Sequence, residues 1–287
     1  MAQPRPRVAV TMDDVRWQAI PEARRAEAEE KLLNSLGKMR AFLFAIGQAV
    51  DNQHGAKILS LWSSAGHRIG NHTYDHTVLS GNSTEDQFEA LEAGILRTDD
   101  VLRVYPGFRK WFRFPALKEG RTRQGRDRLR SFLALHGYRN GAVTIDASDW
   151  YYNQRLLHRL EADSTFDVTR YRDPYLAHIW DRAQHYDLLS REVLGRSVSH
   201  TLLIHYNLLN SLFLGDLLAM FRKKGWAIIE ADEAFTDEVF KRQPDIAPAG
   251  ESLLWALAKE TGKFDSRLRY PGEDDTYEKP VLDRLGL

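Results

Sequence analysis

Short apolar runs alternate with longer amphipathic stretches along the chain, and that change of period predicts strands alternating with helices. Seven runs have strand character: Arg7 to Thr11, Phe42 to Ile46, Arg68 to Asn71, Trp111 to Phe114, Ala142 to Ile145, Thr201 to His205 and Trp226 to Ile229. Between them, Glu22 to Leu36 is rich in the helix formers Ala, Glu, Lys and Leu, and Phe88, Leu91, Ile95 and Leu102 recur at helical spacing. Ser83 and Asp86 offer this second helix a capping-box-like start. Parallel neighbours need a crossover rather than a tight turn, so strand, helix, strand, repeated, predicts a parallel sheet with its helices outside. The pattern reads as α/β, a single barrel-like domain over residues 1–243. A linker-like stretch, Gln243 to Gly250, leads to a short helix at about Glu251 to Lys259 and a polar tail. Residues 244–287 are therefore expected to be a helical and irregular extension packed on the barrel, with no chemistry of its own.

Composition narrows the function. The 287 residues carry 40 Lys plus Arg and 40 Asp plus Glu, so no basic excess exists to hold a nucleic-acid backbone. Apolar runs such as Ala41 to Ile46 fall far short of the roughly 18 to 20 residues that cross a bilayer, so no transmembrane segment is expected. With no cysteine in the chain, disulfides, thiolate metal clusters and a cysteine nucleophile are excluded. A metal would have to take histidine and carboxylate ligands. The segment from Met1 to Arg7 lacks the apolar core of a signal peptide, which fits a cytoplasmic protein or one whose leader has been cut away.

Parallel α/β folds gather function at the carboxyl ends of their strands, and here polar groups follow almost every run. The first ends in Thr11-Met12-Asp13-Asp14 and the third in Asn71-His72-Thr73-Tyr74-Asp75-His76. Later runs end in Arg113-Phe114-Pro115, Asp146-Ala147-Ser148-Asp149-Trp150 and Leu203-Ile204-His205. With ten histidines in the chain, one His-x-x-x-His pair proves little alone. Asp-Asp also occurs at Asp99-Asp100 and Asp274-Asp275, where solvated charge is the simpler reading. Asp13-Asp14 differs because two adjacent carboxylates closing a buried-type strand repel each other and call for a cation. A helical turn at 72–76 would put both imidazoles on one side, and Asp14 would complete a two-histidine, one-carboxylate set with open positions. Adjacent strand residues point oppositely, so Asp13 is a candidate general base rather than a second ligand from the same face.

In this order the five motifs resemble those of the polysaccharide deacetylases, the NodB-homology or carbohydrate esterase family 4 enzymes, over about Val8 to Tyr206. The resemblance implies a distorted (β/α)7 barrel. It further implies one divalent ion, zinc or else cobalt or another metal, held by Asp14, His72 and His76. Asp13 would be the base acting on a metal-activated water and His205 the acid that protonates the departing amine. Arg113 would orient Asp13, and Asp149 would tune His205. Trp150 and Leu203 would wall an acetyl pocket, and the backbone N–H of Ala116 would help steady the oxyanion. Two positions depart from the family motifs: Val15 stands where glycine is usual, predicting a differently shaped first loop, and Ala116 where tyrosine is usual, predicting a more open cleft.

The resulting expectation is metal-dependent removal of acetyl groups, N-acetyl favoured, from a chitooligosaccharide-like or peptidoglycan-like glycan. O-acetyl removal from xylan, hydrolysis of a non-sugar C–N bond such as a cyclic imide, and a non-catalytic glycan-binding role are the alternatives. The family resemblance also favours a periplasmic or secreted location, with the cytoplasm as alternative. Trp150, Tyr151 and Tyr152 are divided between sugar stacking and packing. His54, His67, His136, His158, His178, His185 and His200 fit no motif and read as surface or packing residues.

Overall fold

The computed structural model describes residues 5–269 and 274–287; residues 1–4, residues 270–273 of the tail and the side chains of Asp274 and Asp275 lie outside the described residues. In chain order the first half holds β1 (Arg7–Asp14), α1 (Arg25–Leu36), β2 (Phe42–Ala45), α2 (Gly47–Val50), α3 (Gln53–Ser64), β3 (Arg68–Asn71), α4 (Glu85–Leu102), β4 (Phe108–Phe112), β5 (Lys118–Gly120), α5 (Arg123–Leu135) and β6 (Arg139–Asn140). The second half holds α6 (Asp149–Ala162), α7 (Arg172–Leu194), β7 (Ser199–His205), α8 (Leu208–Lys223), β8 (Ala227–Ile228), α9 (Ala231–Ala234), β9 (Ala249–Gly250), α10 (Leu253–Thr261) and α11 (Asp274–Arg284). Seven strands pair in parallel in the order β6-β4-β3-β2-β1-β7, with β8 also on β1, and the sheet curls into a distorted (β/α)7 barrel.

Alternation along β1 assigns its two faces. Val8, Val10 and Met12 join the main apolar core with Leu32 of α1 and Leu217 of α8, while Ala9 packs inward with Phe42, Phe44 and Phe235. Thr11 and Asp13 share the inward face with Ala9, which is how a carboxylate comes to lie near the end of a largely buried strand.

The seam between β6 and β7 corrects one expected strand. Over Ala142 to Ile145 only a bridge from Ile145 to Leu202 forms, and the neighbouring strand is Arg139–Asn140. Here hydroxyls compete with the ladder: the Thr144 amide donates to Thr201 Oγ1 at 3.2 Å and the Thr201 amide to Thr144 Oγ1 at 2.8 Å. The fourth strand also lies earlier than Trp111 to Phe114, because Phe114 precedes Pro115 and the chain turns there. The second long helix is capped one residue later than Ser83 and Asp86 suggested, by Thr84 with Gln87 in a reciprocal capping box.

The end of the chain is more structured than a linker and tail. Pro244 and Ile246 accept bonds from Arg130 and Arg126, and the tail contains α11. Leu253, Leu254 and Leu257 of α10 belong to the main core. Among the described residues no helix is long and apolar enough to cross a membrane.

Candidate active site

Strand register brings the chemistry to one rim. Asp13 is the cross-strand partner of His205, Asp14 that of Ala45, and Ala45 that of Asn71. Beyond the last paired residues the ladder continues: the His72 amide donates to the Ala45 carbonyl at 3.1 Å and the Arg113 amide to the Asn71 carbonyl at 2.9 Å. Five strand ends, those of β7, β1, β2, β3 and β4, thus lie side by side.

At Asp14 the chain leaves the strand with φ 79, in the left-handed region, which swings its carboxylate back over the rim that Asp13 faces. Val15 follows at φ 54 with its side chain fully buried. The first loop therefore keeps a left-handed turn of the kind glycine favours even though valine occupies it, a strain that the surrounding core must hold in place. The expected difference in this loop lies in its side chain rather than in its turn.

The two histidines meet without the helical turn expected between them. Residues 72–76 form a loop in which Thr73 and His76 both have φ 64. Asn71 Oδ1 accepts from the Thr73 amide and Thr73 Oγ1 from the His76 amide, each at 2.9 Å. The Gly47 and Gln48 amides at the start of α2 hold the Thr73 and Tyr74 carbonyls at 2.9 and 2.7 Å. The imidazole centroids lie 5.0 Å apart, and their Nε2 atoms stand 3.3 and 3.4 Å from Asp14 Oδ1.

These three side chains fit a cation. One ligand atom from each lies within 4.8 Å of the others. Buried Asp14 Oδ1 has no hydrogen-bond partner among the described residues, an arrangement that is costly unless a positive charge occupies it. The Arg113 carbonyl, 2.8 Å from His72 Nδ1, can only accept, so Nδ1 carries a proton, the tautomer whose neutral ring presents the Nε2 lone pair to a ligand. Burial holds the His76 imidazole down at about 4, leaving it neutral and able to ligate. Although burial pushes Asp14 up, the histidines beside it outweigh that and hold its carboxyl well below the usual carboxylate range.

Asp13 is almost fully buried, with Oδ1 accepting from Arg113 Nη1 at 2.8 Å and Oδ2 3.8 Å from His72 Nε2. Burial raises its pKa against the opposing pull of the Arg113 guanidinium. Arg113 is itself fixed by Thr11 Oγ1 at 3.0 Å, by the Gly141 carbonyl at 2.6 Å and by the Phe44 ring 4.1 Å away.

Across the rim, His205 Nδ1 donates to Asp149 Oδ1 at 2.8 Å, and the His205 amide donates to Oδ2 at 2.8 Å. Burial lowers the imidazole pKa, but the Asp149 carboxylate, helped by Asp14 and Asp13, overrides it and brings the value up to about 10. Asp149 Oδ2 also accepts from Asn207 Nδ2 at 3.1 Å and Asn210 Nδ2 at 2.7 Å, and Tyr175 Oη donates to Asn210 Oδ1 at 2.5 Å. Sequence reasoning missed these asparagines, as it missed Asn71. The signal for two of them was present: Asn207 caps α8 by accepting from the Asn210 amide, a helix start directly after the last motif.

A cleft of about 340 Å³ joins the two halves. Asp13, Asp14, His72, His76 and His205 line it together with Ala116, Trp150 and Leu203, and so do Leu117, Lys118, Asp146, Ala147 and Glu251, none of which was singled out as a site residue. Ala116 sits there at φ 47, and Leu203 packs with Leu117 and Val143. Of the three consecutive aromatics, Trp150 is exposed at the cleft, whereas Tyr151 and Tyr152 are buried, the latter against His178. His178 accepts from the Ser148 amide, His67 from the Ala41 amide, and His200 lies against Asp187. None of the seven motif-free histidines lines this cleft.

Residues 1–140 match the family described as polysaccharide deacetylase. Over these residues, just under half of the chain, the sequence is similar to that family. No curated protein matches the sequence. Among solved structures, a mutant of a Bacillus anthracis CE4 family pseudoenzyme, with restored enzymatic activity, is similar at TM-score 0.54 and 16% identity, over 81% of this chain and 68% of that one. The Bacillus subtilis peptidoglycan deacetylase PdaC gives 0.51 at 19% identity, over 82% and 93%. A Clostridium thermocellum family 4 acetyl xylan esterase, in complex with a cobalt ion, gives 0.50 at 20% identity, over 80% and 90%. At such identities the likeness is one of fold. Since that fold also carries a pseudoenzyme, activity in this chain has to be argued from its own side chains.

Proposed function

We propose that this protein hydrolyses acetyl groups, N-acetyl in preference to O-acetyl, from a carbohydrate polymer or oligosaccharide with the help of one divalent ion, zinc foremost. One observation carries the reading: a three-residue cation site, a buried carboxylate and an aspartate-paired imidazole all face the same cleft. The similarity of residues 1–140 to the polysaccharide deacetylase family supports the substrate class. A non-catalytic glycan binder would have no use for Asp13 and His205 on opposite sides of a metal triad.

Asp14, His72 and His76 would hold the ion, a three-ligand set that leaves coordination positions open. When bound, it supplies Lewis acidity toward the acetyl carbonyl and lowers the pKa of water from about 15.7 toward about 7. Asp13 takes the proton of the attacking water, with Arg113 securing Oδ1 so that Oδ2 is available to receive it. His205 gives its Nε2 proton to the amine nitrogen as the C–N bond breaks, and Asp149 keeps Nδ1 protonated and the ring oriented. The arginine beside Asp13 opposes the rise that burial causes, and the aspartate beside His205 favours its imidazolium, so the two neighbours push base and acid toward opposite protonation states. Leu203 and Trp150 bound the space for the acetyl methyl, and the Ala116 N–H steadies the carbonyl oxygen as charge develops.

The test is elemental analysis of the purified protein together with acetate release from a panel of N-acetylated and O-acetylated glycans and a cyclic imide. About one divalent ion per chain and release from N-acetylated glycans are expected. Free zinc at about 100 times its dissociation constant should add about 2.7 kcal/mol to stability, read as a higher melting temperature. A protein that takes up no ion and releases no acetate from any substrate would refute the proposal.

Asp149→Asn supplies a pH test. Removing this anion destabilises the imidazolium, so the His205 pKa should fall from about 10 toward its ordinary value of 6.5. The alkaline limb of the rate profile then moves to lower pH, with a loss of rate of up to about 10⁴. An unmoved alkaline limb would show that His205 is not the proton donor.

A further inference from the structure

The end of the chain adds a wall to the cleft. β9 pairs antiparallel with β5, and at Gly250, φ 122, a Cβ would come within 1.9 Å of the Leu117 carbonyl oxygen, so only glycine lets the arm lie this close. Glu251 follows in the left-handed region at φ 66, its amide donating to the Leu117 carbonyl at 3.0 Å. Ser252 Oγ then donates to the Thr144 carbonyl at 3.0 Å and the Leu253 amide to the Val143 carbonyl at 2.7 Å. Stapled to two rim loops, the arm places the Glu251 carboxylate in the cleft wall, paired with Lys118 Nζ, the two side chains being 6% and 18% exposed.

Adhesion alone does not account for this residue. A largely desolvated carboxylate costs free energy, and an apolar side chain on the same left-handed backbone would hold the arm without that cost. The ion pair neutralises the wall locally, so this wall selects neither anions nor cations. A carboxylate nonetheless offers about four lone-pair sites, more than one ammonium partner occupies, and hydroxyl groups are suitable donors to it.

We propose that Glu251, held by Lys118, is a specificity-determining residue that accepts hydrogen bonds from hydroxyls of the neutral sugar bearing the acetyl group, an inference that rests on the deacetylase reading above. Glu251→Gln keeps an acceptor for Lys118 but weakens the bond to a sugar hydroxyl. The zinc-loaded full chain is compared with this variant on tetra-N-acetylchitotetraose and on 4-nitrophenyl acetate, whose leaving group has no sugar hydroxyls. For the variant, kcat/KM on the oligosaccharide should fall about tenfold, mainly through KM, with aryl acetate hydrolysis within twofold of the parent and an unchanged melting temperature. Lys118→Gln should show the same split. An equal loss on both substrates would make the pair structural, and no loss on the oligosaccharide would remove Glu251 from recognition; either result overturns the inference while the parent enzyme remains a deacetylase. A parent that cleaves neither substrate takes down the deacetylase reading and this inference with it.

Discussion

Asp14→Asn is expected to yield a folded protein that binds no zinc at the rim and has lost essentially all acetate release. Asp14 is the only anion among the three side chains proposed to hold the ion, and its Oδ1 is the atom both imidazoles approach. Replacing the carboxylate by an amide removes the charge that attracts the ion and offers at most a weak carbonyl donor in its place. Asparagine is the informative replacement because position 14 has φ 79, and asparagine tolerates the left-handed region far better than alanine. A loss of activity therefore cannot be assigned to a broken turn. His72→Ala should abolish zinc binding as well, but with an added loss of stability of about 1–3 kcal/mol, because the Arg113 carbonyl loses its partner in a fully buried place. Zinc content by elemental analysis and melting temperature by calorimetry separate the two cases. Stoichiometric zinc in Asp14→Asn would remove Asp14 from the site.

What could be read from the sequence, and what could not, follows from the range of the interactions. The alternating pattern locates β1, β2, β3 and β7 within a few residues because their buried runs are continuous and set by local hydrophobicity. It fails over Ala142 to Ile145, where the same composition meets threonine hydroxyls of another strand and pairs with them instead. At the site, the identities of Asp13, Asp14, His72, His76 and His205 stand out because each follows a strand. The geometry that unites the triad does not: it depends on left-handed residues 14, 73 and 76 and on Asn71 holding the loop from below. Spacing of four suggested a helical turn, yet two side-chain bonds to backbone amides achieve the same approach without one. Glu251 was illegible for a different reason. It lies over a hundred residues from Lys118 in a segment of ordinary composition, and only the β5–β9 pairing brings it to the cleft.

Asp13→Asn is the second large effect, and its signature is the opposite of the first. Here zinc should remain, since Asp13 Oδ2 is 3.8 Å from His72 Nε2 and Asp13 is not one of the three converging ligands. The fold should remain at a cost of up to about 3–5 kcal/mol, because the asparagine Oδ1 still accepts from Arg113 Nη1 while the buried guanidinium loses its counter-charge. What disappears is the capacity to take a proton: an amide oxygen is far too weak a base near neutral pH. General-base assistance is worth about 10² to 10⁴ in rate, and kcat should fall by that factor with KM changed little, since the proposed role of Asp13 lies in the transition state rather than in substrate binding. The acid limb of the pH profile, which the proposal assigns to protonation of Asp13 in the parent, should flatten. Deacetylation at the parental rate by a zinc-loaded Asp13→Asn protein would transfer the role of base to another group, and Asp146, which lines the same cleft, would be the next carboxylate to substitute.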